Sequence, residues 1–369
     1  MAYRFLTSGD TPGPTEEITY SELERQARGI AASLQRLDAQ GERALLLYPP
    51  GLDFISGFLG CLYAGAIAVP AYPPHPARLE RTLPRLKAIA ADCGARFVLT
   101  TSQLKRRAEA VLPQGEGLGA LAWLHTDGMA RGSEDAWRAP VLSSESTAFL
   151  QYTSGSTGNP KGVIVSHGNI LHNQSLLLAA FPQSEQSVTV SWLPPYHDMG
   201  LLGGILYPLY YGGTAVLLPP LSFLQSPRRW LRAIGQYGGT TSPAPNFAYD
   251  LCARKVKPEE MEGVSLATWE LALNGAEPVR ADTLERFHQR FAPYGFRKEA
   301  FTPCYGLAEA TLAVSGFKAK GQVATVAVQR EALERGRVEL APRDDPRARL
   351  LVGSGALPVG QRMAIVDPL

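Results

Sequence analysis

Residues 153–162 combine glycines, small hydroxylated side chains and one lysine between two short apolar runs. Glycine lets backbone N–H groups approach an anion closely, hydroxyls donate further hydrogen bonds, and Lys161 supplies a positive charge. The spacing differs from the nucleotide-binding loop that requires Gly-x4-Gly-Lys-Ser/Thr at the start of a helix. The pattern predicts a phosphate-binding loop between two strands, and the alternative interpretation is a solvated turn rich in glycine and serine.

Three further strings could line a ligand site, and the first two follow predicted strands, at the sheet edge where α/β proteins place their ligands. The pair His197 and Asp198 can orient a carboxylate or gate a pocket, whereas the simpler interpretation is that Asp198 caps the next helix. The small residues of segment 274–278 would let a flat ring lie against the backbone, or would only form a turn. Segment 305–311 offers an aromatic ring, a glycine and the carboxylate of Glu309, a ligand type that binds Mg²⁺. Each string is a weak signal when it is taken alone.

Helices and strands must bring these strings together, and the apolar periodicity predicts that the two alternate along the chain. The predicted strands are residues 44–48, 66–71, 96–100, 120–124, 148–151, 162–165, 187–192, 214–218, 239–242, 271–274, 323–328 and 362–366. The predicted helices are residues 21–37, 54–64, 79–92, 103–111, 169–180, 200–211, 227–237, 246–255 and 281–291. This alternation predicts an α/β fold of mainly parallel sheets covered by helices, and a length of 369 residues predicts two or three packed lobes.

The composition is that of a soluble globular protein, with 45% hydrophobic and 19% charged residues. A net charge of +2 gives no reason to expect nucleic acid or an anionic membrane as a partner. Two long uncharged stretches, 54–72 and 199–227, are interrupted by glycines and prolines, so we expect buried helices and strands there and no transmembrane segment. The four cysteines are scattered and no signal peptide is recognisable, which predicts reduced thiols and a cytoplasmic location.

The four strings together resemble, in their order along the chain, the motifs of the adenylate-forming (AMP-binding) ligases. The resemblance extends over nearly the whole chain to the large N-terminal domain of that superfamily, and it is strongest to the fatty acyl-AMP ligases. It implies activation of a fatty acid by ATP and Mg²⁺, giving an acyl-adenylate and pyrophosphate. The acceptor that it implies is the phosphopantetheine thiol of an acyl carrier protein in a polyketide, nonribosomal peptide or lipid pathway.

The resemblance also implies roles for individual residues. His197, Lys161 and Glu309 would be catalytic, and Mg²⁺ would bind Glu309 with Thr153 nearby. The residues that the resemblance assigns to ATP are Thr153, Ser154, Gly155, Ser156, Thr157, Gly158, Lys161, Gly275, Ala276, Glu277, Tyr305 and Gly306. Apolar or small walls suit an alkyl chain, and the candidates for them, each equally suited to core packing, are Met199, Gly203, Ala244 and Phe247.

The interval from Glu309 to Gly360 is 51 positions, which is long for the superfamily. Residues 317–352 resemble the insertion that distinguishes acyl-AMP ligases from acyl-CoA ligases, and a variable surface loop is the alternative. The expected domains are a lobe at 41–190 with the phosphate-binding loop, and a second lobe at 1–40 and 191–316 with the adenine and acyl pockets. The insertion at 317–352 would be followed at 353–369 by the beginning of a β lobe.

The family pattern continues beyond residue 369, so we expect the β-barrel lobe and the C-terminal domain to be largely or wholly absent from this chain. The expected activity of the isolated chain is therefore weak or nil. Two alternatives remain open from the sequence. The chain could be part of an acyl-CoA ligase in which the insertion is incidental, or a non-catalytic module that binds a nucleotide or an acid.

Overall fold

The computed structural model describes residues 1–73, 79–110, 112, 115–128, 132–153, 160–316, 323–358 and 360–366. Their strands are β1 Tyr3–Leu6, β2 Thr15–Ile18, β3 Arg43–Leu46, β4 Ile67–Pro70, β5 Phe97–Thr100, β6 Ala122–His125, β7 Thr147–Thr153, β8 Lys161–Ser166, β9 Val188–Ser191, β10 Thr214–Leu217, β11 Thr241–Pro245, β12 Leu271–Gly275, β13 Phe301–Pro303, β14 Tyr305–Gly306, β15 Ala313–Ser315, β16 Thr325–Gln329 and β17 Ala348–Val352. Their α-helices are α1 Tyr20–Gln35, α2 Asp53–Ala64, α3 Leu79–Cys93, α4 Ser102–Glu109, α5 His167–Ala180, α6 Tyr207–Tyr211, α7 Pro220–Gln225, α8 Arg228–Tyr237, α9 Asn246–Lys255, α10 Ala281–Phe291 and α11 Arg330–Glu334.

Local sequence signals account for several helix boundaries. Helix α1 begins after Thr19, whose hydroxyl accepts the N–H of Glu22 while the Glu22 carboxylate accepts the N–H of Thr19. This reciprocal cap satisfies two N–H groups that the first helical turn leaves without partners. Helix α2 ends at Gly65, which has φ = 70°, a conformation that glycine adopts without steric cost.

Two sheets organise the chain, and each is parallel except for one edge strand. The seven-stranded sheet has the order β13-β12-β11-β9-β10-β1-β2, in which only the edge strand β2 runs antiparallel. The six-stranded sheet has the order β6-β5-β3-β4-β7-β8, in which only the edge strand β8 is antiparallel. The predicted α/β fold class is therefore confirmed.

The hydrophobic core is built mainly on helix-covered faces of these sheets. One cluster joins α1 and α2 to strands of the six-stranded sheet and also includes residues such as Leu201 and Leu202, so it connects the two sheets. A second, aromatic cluster covers one face of the seven-stranded sheet, where Trp230 packs edge-on against Trp269 at 5.2 Å between ring centroids. Such aromatic pairs contribute packing energy beyond the area that they bury.

The predicted division into lobes 41–190 and 1–40 with 191–316 stays a prediction, and three elements lie at its borders. Strand β9, at 188–191, belongs to the seven-stranded sheet and not to the sheet of the first lobe. Strands β1 and β2 also lie in the seven-stranded sheet, whereas α1 shares its core cluster with α2. Membership of the two sheets therefore changes near residue 188 and not at residue 191, and α1 packs with α2 although the two helices were predicted in different lobes.

The segment after residue 316 contains an antiparallel pair, β16 with β17, in which Thr325 is opposite Val352. A backbone bridge from Leu351 to Arg280 attaches β17 to the residue before α10. The predicted insertion 317–352 thus includes a hairpin that contacts the beginning of helix α10. Residues 317–322 lie outside the described residues. The strand predicted at 362–366 is wrong, because these described residues form no strand.

Several elements were not predicted. Strands β1, β2 and β13 are only three or four residues long, and α7 is a six-residue helix. Segments of this length are too short to show a clear hydrophobic periodicity. The predicted helix 200–211 is divided into a π-helix at Met199–Leu206 and the α-helix α6. Within the described residues, no helix has the length and apolar character needed to cross a membrane.

Candidate active site

The stem of the predicted phosphate-binding loop is an antiparallel hairpin. Strand β7 ends at Thr153 and strand β8 begins at Lys161, and the two residues are opposite each other in the ladder. Thr153 is partly buried and Lys161 is exposed. The predicted ligands Ser154, Gly155, Ser156, Thr157 and Gly158 lie outside the described residues. The stem nevertheless places a hydroxyl and an ammonium group at the same level.

Gln151, two residues before the loop, connects the two sheets. Its side chain is buried, with only 3% exposed, and its Nε2 donates a 2.8 Å hydrogen bond to the backbone oxygen of Tyr196. Tyr196 follows β9 in the seven-stranded sheet and immediately precedes His197. The hydrogen bond therefore ties the stem of the loop to the segment that carries the predicted catalytic histidine.

Asp198 both caps a helix and contacts His197, so the two interpretations of this pair, a helix cap and a partner of the histidine, both apply. Its Oδ1 accepts the N–H of Met199 at 2.6 Å, which caps the π-helix, and it lies 2.8 Å from Nδ1 of His197. The hydrogen bond to Asp198 raises the pKa of His197 above its usual value of 6.5, because it stabilises the imidazolium, and burial opposes this shift. About half of the His197 side chain remains exposed, so it can meet a ligand.

Two cavities adjoin at this pair. The larger one has a volume of about 620 Å³ and the smaller one about 170 Å³, and His197 and Asp198 line both. The larger cavity is lined by Pro70, Ala71, Tyr72, Thr82, Arg85, Leu86, Ile89, Gln151, Tyr152, Thr153, Pro194, Tyr196, His197 and Asp198. The smaller cavity is lined by Leu177, Phe181, His197, Asp198, Met199, Gly203, Tyr207, Pro243, Leu273, Gly275, Ala276, Cys304, Tyr305, Gly306, Leu312, Ala313 and Ser315.

The smaller cavity brings together seven of the predicted site residues. They are His197, Met199, Gly203, Gly275, Ala276, Tyr305 and Gly306. The Tyr305 ring is 48% exposed and is therefore available to stack against a flat ligand. Thr153 lines the larger cavity instead. The larger cavity therefore lies next to the stem of the phosphate loop, whereas the smaller cavity has the aromatic ring of Tyr305 in its wall.

The walls of the smaller cavity need glycine at two positions. A Cβ on Gly275 would lie 2.9 Å from Sγ of Cys304, and a Cβ on Gly306 would lie 2.1 Å from the oxygen of Leu312. Both distances are shorter than real Cβ contacts. Ala276 has φ = 64° and Thr311 has φ = 69°, backbone conformations that cost non-glycine residues free energy. Strained backbone therefore occurs on both strings that border this cavity.

Two predicted carboxylates have different surroundings. Glu277 accepts the backbone N–H of Phe247 at 2.5 Å through Oε1, so it satisfies a free N–H in the first turn of α9. Glu309 lies exposed in a short 3₁₀ turn at Ala308–Ala310. Neither residue lines the two cavities given above.

A magnesium ion that is held mainly by a ligand's phosphates needs few donors from the protein. In the part of the chain that the structure describes, no three His, Cys, Asp or Glu side chains gather into a metal site. Mg²⁺ commonly takes only one or two protein carboxylates and completes its shell with phosphate and water. The exposed carboxylate of Glu309 and the hydroxyl of Thr153 are oxygen donors of that kind.

The four predicted acyl-pocket residues divide into two pairs. Met199 and Gly203 line the smaller cavity, but Ala244 is fully buried in the aromatic core and lines neither cavity. Alternation along β11 explains this, because Pro243 faces the smaller cavity and its neighbour must point to the opposite face. Phe247 packs against Trp192 at 6.0 Å between ring centroids. The core-packing interpretation is thus the better one for Ala244.

Sequence reasoning missed several lining residues. Leu177 lies in α5 and Phe181 directly follows it, Leu273 lies in β12, and Cys304 lies between β13 and β14. Gln151 and Tyr152 immediately precede the phosphate loop and line the larger cavity. The position of Gln151 and Tyr152 directly before the loop was a usable signal for these two residues, whereas nothing local points to Leu177 or Phe181.

The profile of the AMP-binding enzyme family matches residues 2–369. The chain belongs to the AMP-binding enzyme family. Among its AMP-binding relatives is JamA of Moorena producens, a medium-chain-fatty-acid–[acyl-carrier-protein] ligase. JamA is 42% identical over 373 residues, which cover 100% of this chain and 62% of JamA.

Solved structures of AMP-binding enzymes agree with this assignment. The fatty acid AMP ligase from Legionella pneumophila has a TM-score of 0.92 and 42% identity, covering 100% of this chain and 62% of that protein. A fatty acyl-adenylate ligase from L. pneumophila, in complex with acyl adenylate and pyrophosphate, has a TM-score of 0.88 and 42% identity, covering 96% and 61%. The chain therefore spans about three fifths of the length of the relatives it matches, and the resemblance inferred from its motifs is confirmed.

Proposed function

We propose that the protein to which this chain belongs activates a fatty acid with ATP, forming an acyl-adenylate and releasing pyrophosphate. The observation that carries the proposal is the position of His197 and Asp198, which line both cavities. A carboxylate held in the smaller cavity and a triphosphate extending into the larger one would meet at this pair. The names of the related ligases support the same substrate class.

In the proposed reaction, a carboxylate oxygen attacks the α-phosphorus of ATP. The new bond joins that oxygen to phosphorus, and the bond from the α-phosphorus to the β-phosphate oxygen breaks, so that pyrophosphate leaves. Both reactants are anions, and catalysis therefore depends on positioning and on charge neutralisation. No proton is transferred when these bonds form and break.

The roles that we propose for the chain's own residues are those that the family resemblance implies. Lys161 and Thr153 would hold the β- and γ-phosphates, and His197, whose pKa is raised by Asp198, would lie between the substrate carboxylate and the α-phosphate. Tyr305 would stack on adenine, with Gly275 and Ala276 on its other face and Gly306 allowing close approach. Met199 and Gly203 would contact the acyl chain. When Mg²⁺ is bound by Glu309 and Thr153, it would further neutralise the phosphate charge.

The acceptor that we propose is the phosphopantetheine thiol of an acyl carrier protein. The hairpin of β16 and β17 supports an acyl-AMP ligase, because it belongs to the segment that resembles the insertion of those enzymes. The carrier function in the name of JamA supports the same acceptor. We further propose a cytoplasmic location, where ATP is available and where the four unpaired cysteines would stay reduced.

The proposal is tested by incubating the protein with ATP, Mg²⁺ and fatty acids of several lengths, and by measuring acyl-AMP with mass spectrometry. The chain is assayed alone and joined to the C-terminal remainder of JamA. We expect acyl-AMP from the joined protein and little from the chain alone. Holo-acyl carrier protein and CoA are then offered side by side. Thioester on CoA in preference to the carrier would support an acyl-CoA ligase, and nucleotide binding without any acyl-AMP would support a non-catalytic module.

A further inference from the structure

Tyr152 lies in strand β7, one residue before Thr153, and its side chain extends from this strand to helix α3. The residue is buried, with 8% of its surface exposed, and its ring packs in a cluster with Leu86 and Ile89 of α3. Its hydroxyl donates a hydrogen bond to the carboxylate of Asp92 in the last turn of that helix. A hydrogen bond to a charged acceptor is about twice as strong as one between neutral groups.

Gly162 makes room for this ring. It is opposite Tyr152 in the β7–β8 ladder, and a Cβ at this position would lie 2.9 Å from Cζ of Tyr152 and 3.1 Å from its hydroxyl oxygen. Any larger residue would therefore displace the ring or separate the two strands. The sequence places its glycine at the one point of the hairpin where the tyrosine lies across the partner strand.

The next pair of the same ladder is Thr153 with Lys161, the two residues that lead into the loop. Tyr152 and Thr153 are consecutive residues at the end of β7, and both line the larger cavity. The positions of Thr153 and Lys161 therefore depend on how Tyr152 is held by Asp92 and Gly162. The larger cavity contains Tyr152, Thr153, Leu86 and Ile89 together in its wall.

We propose that Tyr152 is a positioning residue for Thr153 and Lys161, acting through its hydrogen bond to Asp92 and its packing over Gly162. It sets the approach of Thr153 and Lys161 to the β- and γ-phosphates and does not itself contact the reacting atoms. The inference rests on the proposed function, since it assumes that a triphosphate is the ligand. It predicts a selective effect on ligands that carry those two phosphates.

The test compares ATP with AMP, both with Mg²⁺, by isothermal titration calorimetry on the chain joined to the C-terminal remainder of JamA. Tyr152→Phe keeps the ring and removes only the hydroxyl. Its matched control is Tyr20→Phe, which removes a tyrosine hydroxyl that bonds to the oxygen of Gly213 at 2.6 Å. Gly162→Ala has its own control in Gly51→Ala, because a Cβ on Gly51 would meet no atom within 4 Å.

We expect Tyr152→Phe to weaken ATP binding about tenfold and to leave AMP binding within about twofold of wild type. Asp92→Leu should have the same selective effect, and the double variant Tyr152→Phe/Asp92→Leu should be no weaker than either single one, because all three lose the same hydrogen bond. Both control variants should bind ATP and AMP as the wild type does.

Two results would overturn the inference: unchanged ATP binding by Tyr152→Phe, or an equal loss of ATP and AMP, which a general structural defect would produce. A multiplicative loss in the double variant would exclude action through Asp92. A wild-type joined protein that binds neither nucleotide would instead contradict the proposed function itself, and that outcome is recognised before any variant is compared.

Discussion

Nε2 of Gln151 donates a 2.8 Å hydrogen bond to the backbone oxygen of Tyr196, and this contact joins the six-stranded sheet to the loop of the seven-stranded sheet that carries His197. The hydrogen bond is partly buried, and the buried Oε1 of the same side chain has no partner among the described residues. The side chain of Gln151 therefore makes one hydrogen bond through Nε2, whereas burying its unpartnered Oε1 costs free energy.

Gln151→Leu should separate stability from catalysis. The variant loses one hydrogen bond but also removes the unpartnered oxygen, so we expect the free energy of unfolding to stay within about 1 kcal/mol of wild type. Acyl-AMP formation should fall about tenfold, because the loop stem and His197 are no longer held together. Gln35→Leu is the control, since Gln35 makes the same type of bond to the oxygen of Arg138, away from both cavities. Equal losses in the two variants would contradict a link between the two halves of the site.

Asp198→Asn should move the pH dependence of the reaction. The wild-type pKa of His197 is raised, so the imidazolium persists to higher pH, and activity that needs the cation is lost as pH rises through that raised pKa. Asparagine keeps an oxygen for the N–H of Met199 but lacks the charge, so the falling limb should shift to lower pH. The pH profile of acyl-AMP formation and an NMR titration of the imidazole measure this shift. An unmoved limb would mean that another group controls it.

Ala276→Gly should make the protein more stable and bind adenine more weakly. Ala276 is exposed and has φ = 64°, so glycine relieves strain there and we expect a gain of about 0.5–1 kcal/mol in the free energy of unfolding. A less rigid wall should lower the affinity for AMP. Asp38→Gly is the control, because Asp38 is also exposed with φ = 51° and lies outside the cavity walls. The idea fails if both variants bind AMP as the wild type does.

Gly203→Ala and Ala244→Val should distinguish the cavity wall from the core. A Cβ on Gly203 would lie 3.6 Å from Cδ2 of Leu312, an ordinary contact, so the variant should fold and select shorter or thinner fatty acids. Val at the fully buried position 244 overpacks the core and should lower the free energy of unfolding by about 1–3 kcal/mol without changing the preferred chain length. Competition between fatty acids of different length, with thermal unfolding, measures both effects. A changed chain-length preference in Ala244→Val would indicate that Ala244 contacts the acyl chain after all.

The sequence predicted those parts of the fold whose signals are local. The buried strands ending at Thr153 and Gly275 and the capped helix α1 have clear periodicity and boundaries, and the ends of the strands gave the places of most site residues. The faces of the strands were harder, and Ala244 shows why. It was considered for its small size, although its neighbour Pro243 is the residue that faces the cavity.

Contacts between distant segments could not be predicted from the sequence. The bond from Gln151 to Tyr196 and the packing of Tyr152 over Gly162 depend on how two sheets and a helix are placed in space. The π-helix at Met199–Leu206 also depends on context, since its apolar sequence is equally compatible with an ordinary helix.

His197 and Asp198 belong to the walls of both cavities, and this has a thermodynamic consequence. A ligand in one cavity that changes the charge or rotamer of His197 alters the free energy of binding in the other. Linkage requires the effect to be reciprocal, so a fatty acid that tightens ATP binding by some factor must itself be bound more tightly by the same factor when ATP is present. The two substrates would then communicate through a single shared side chain, without any movement of the sheets.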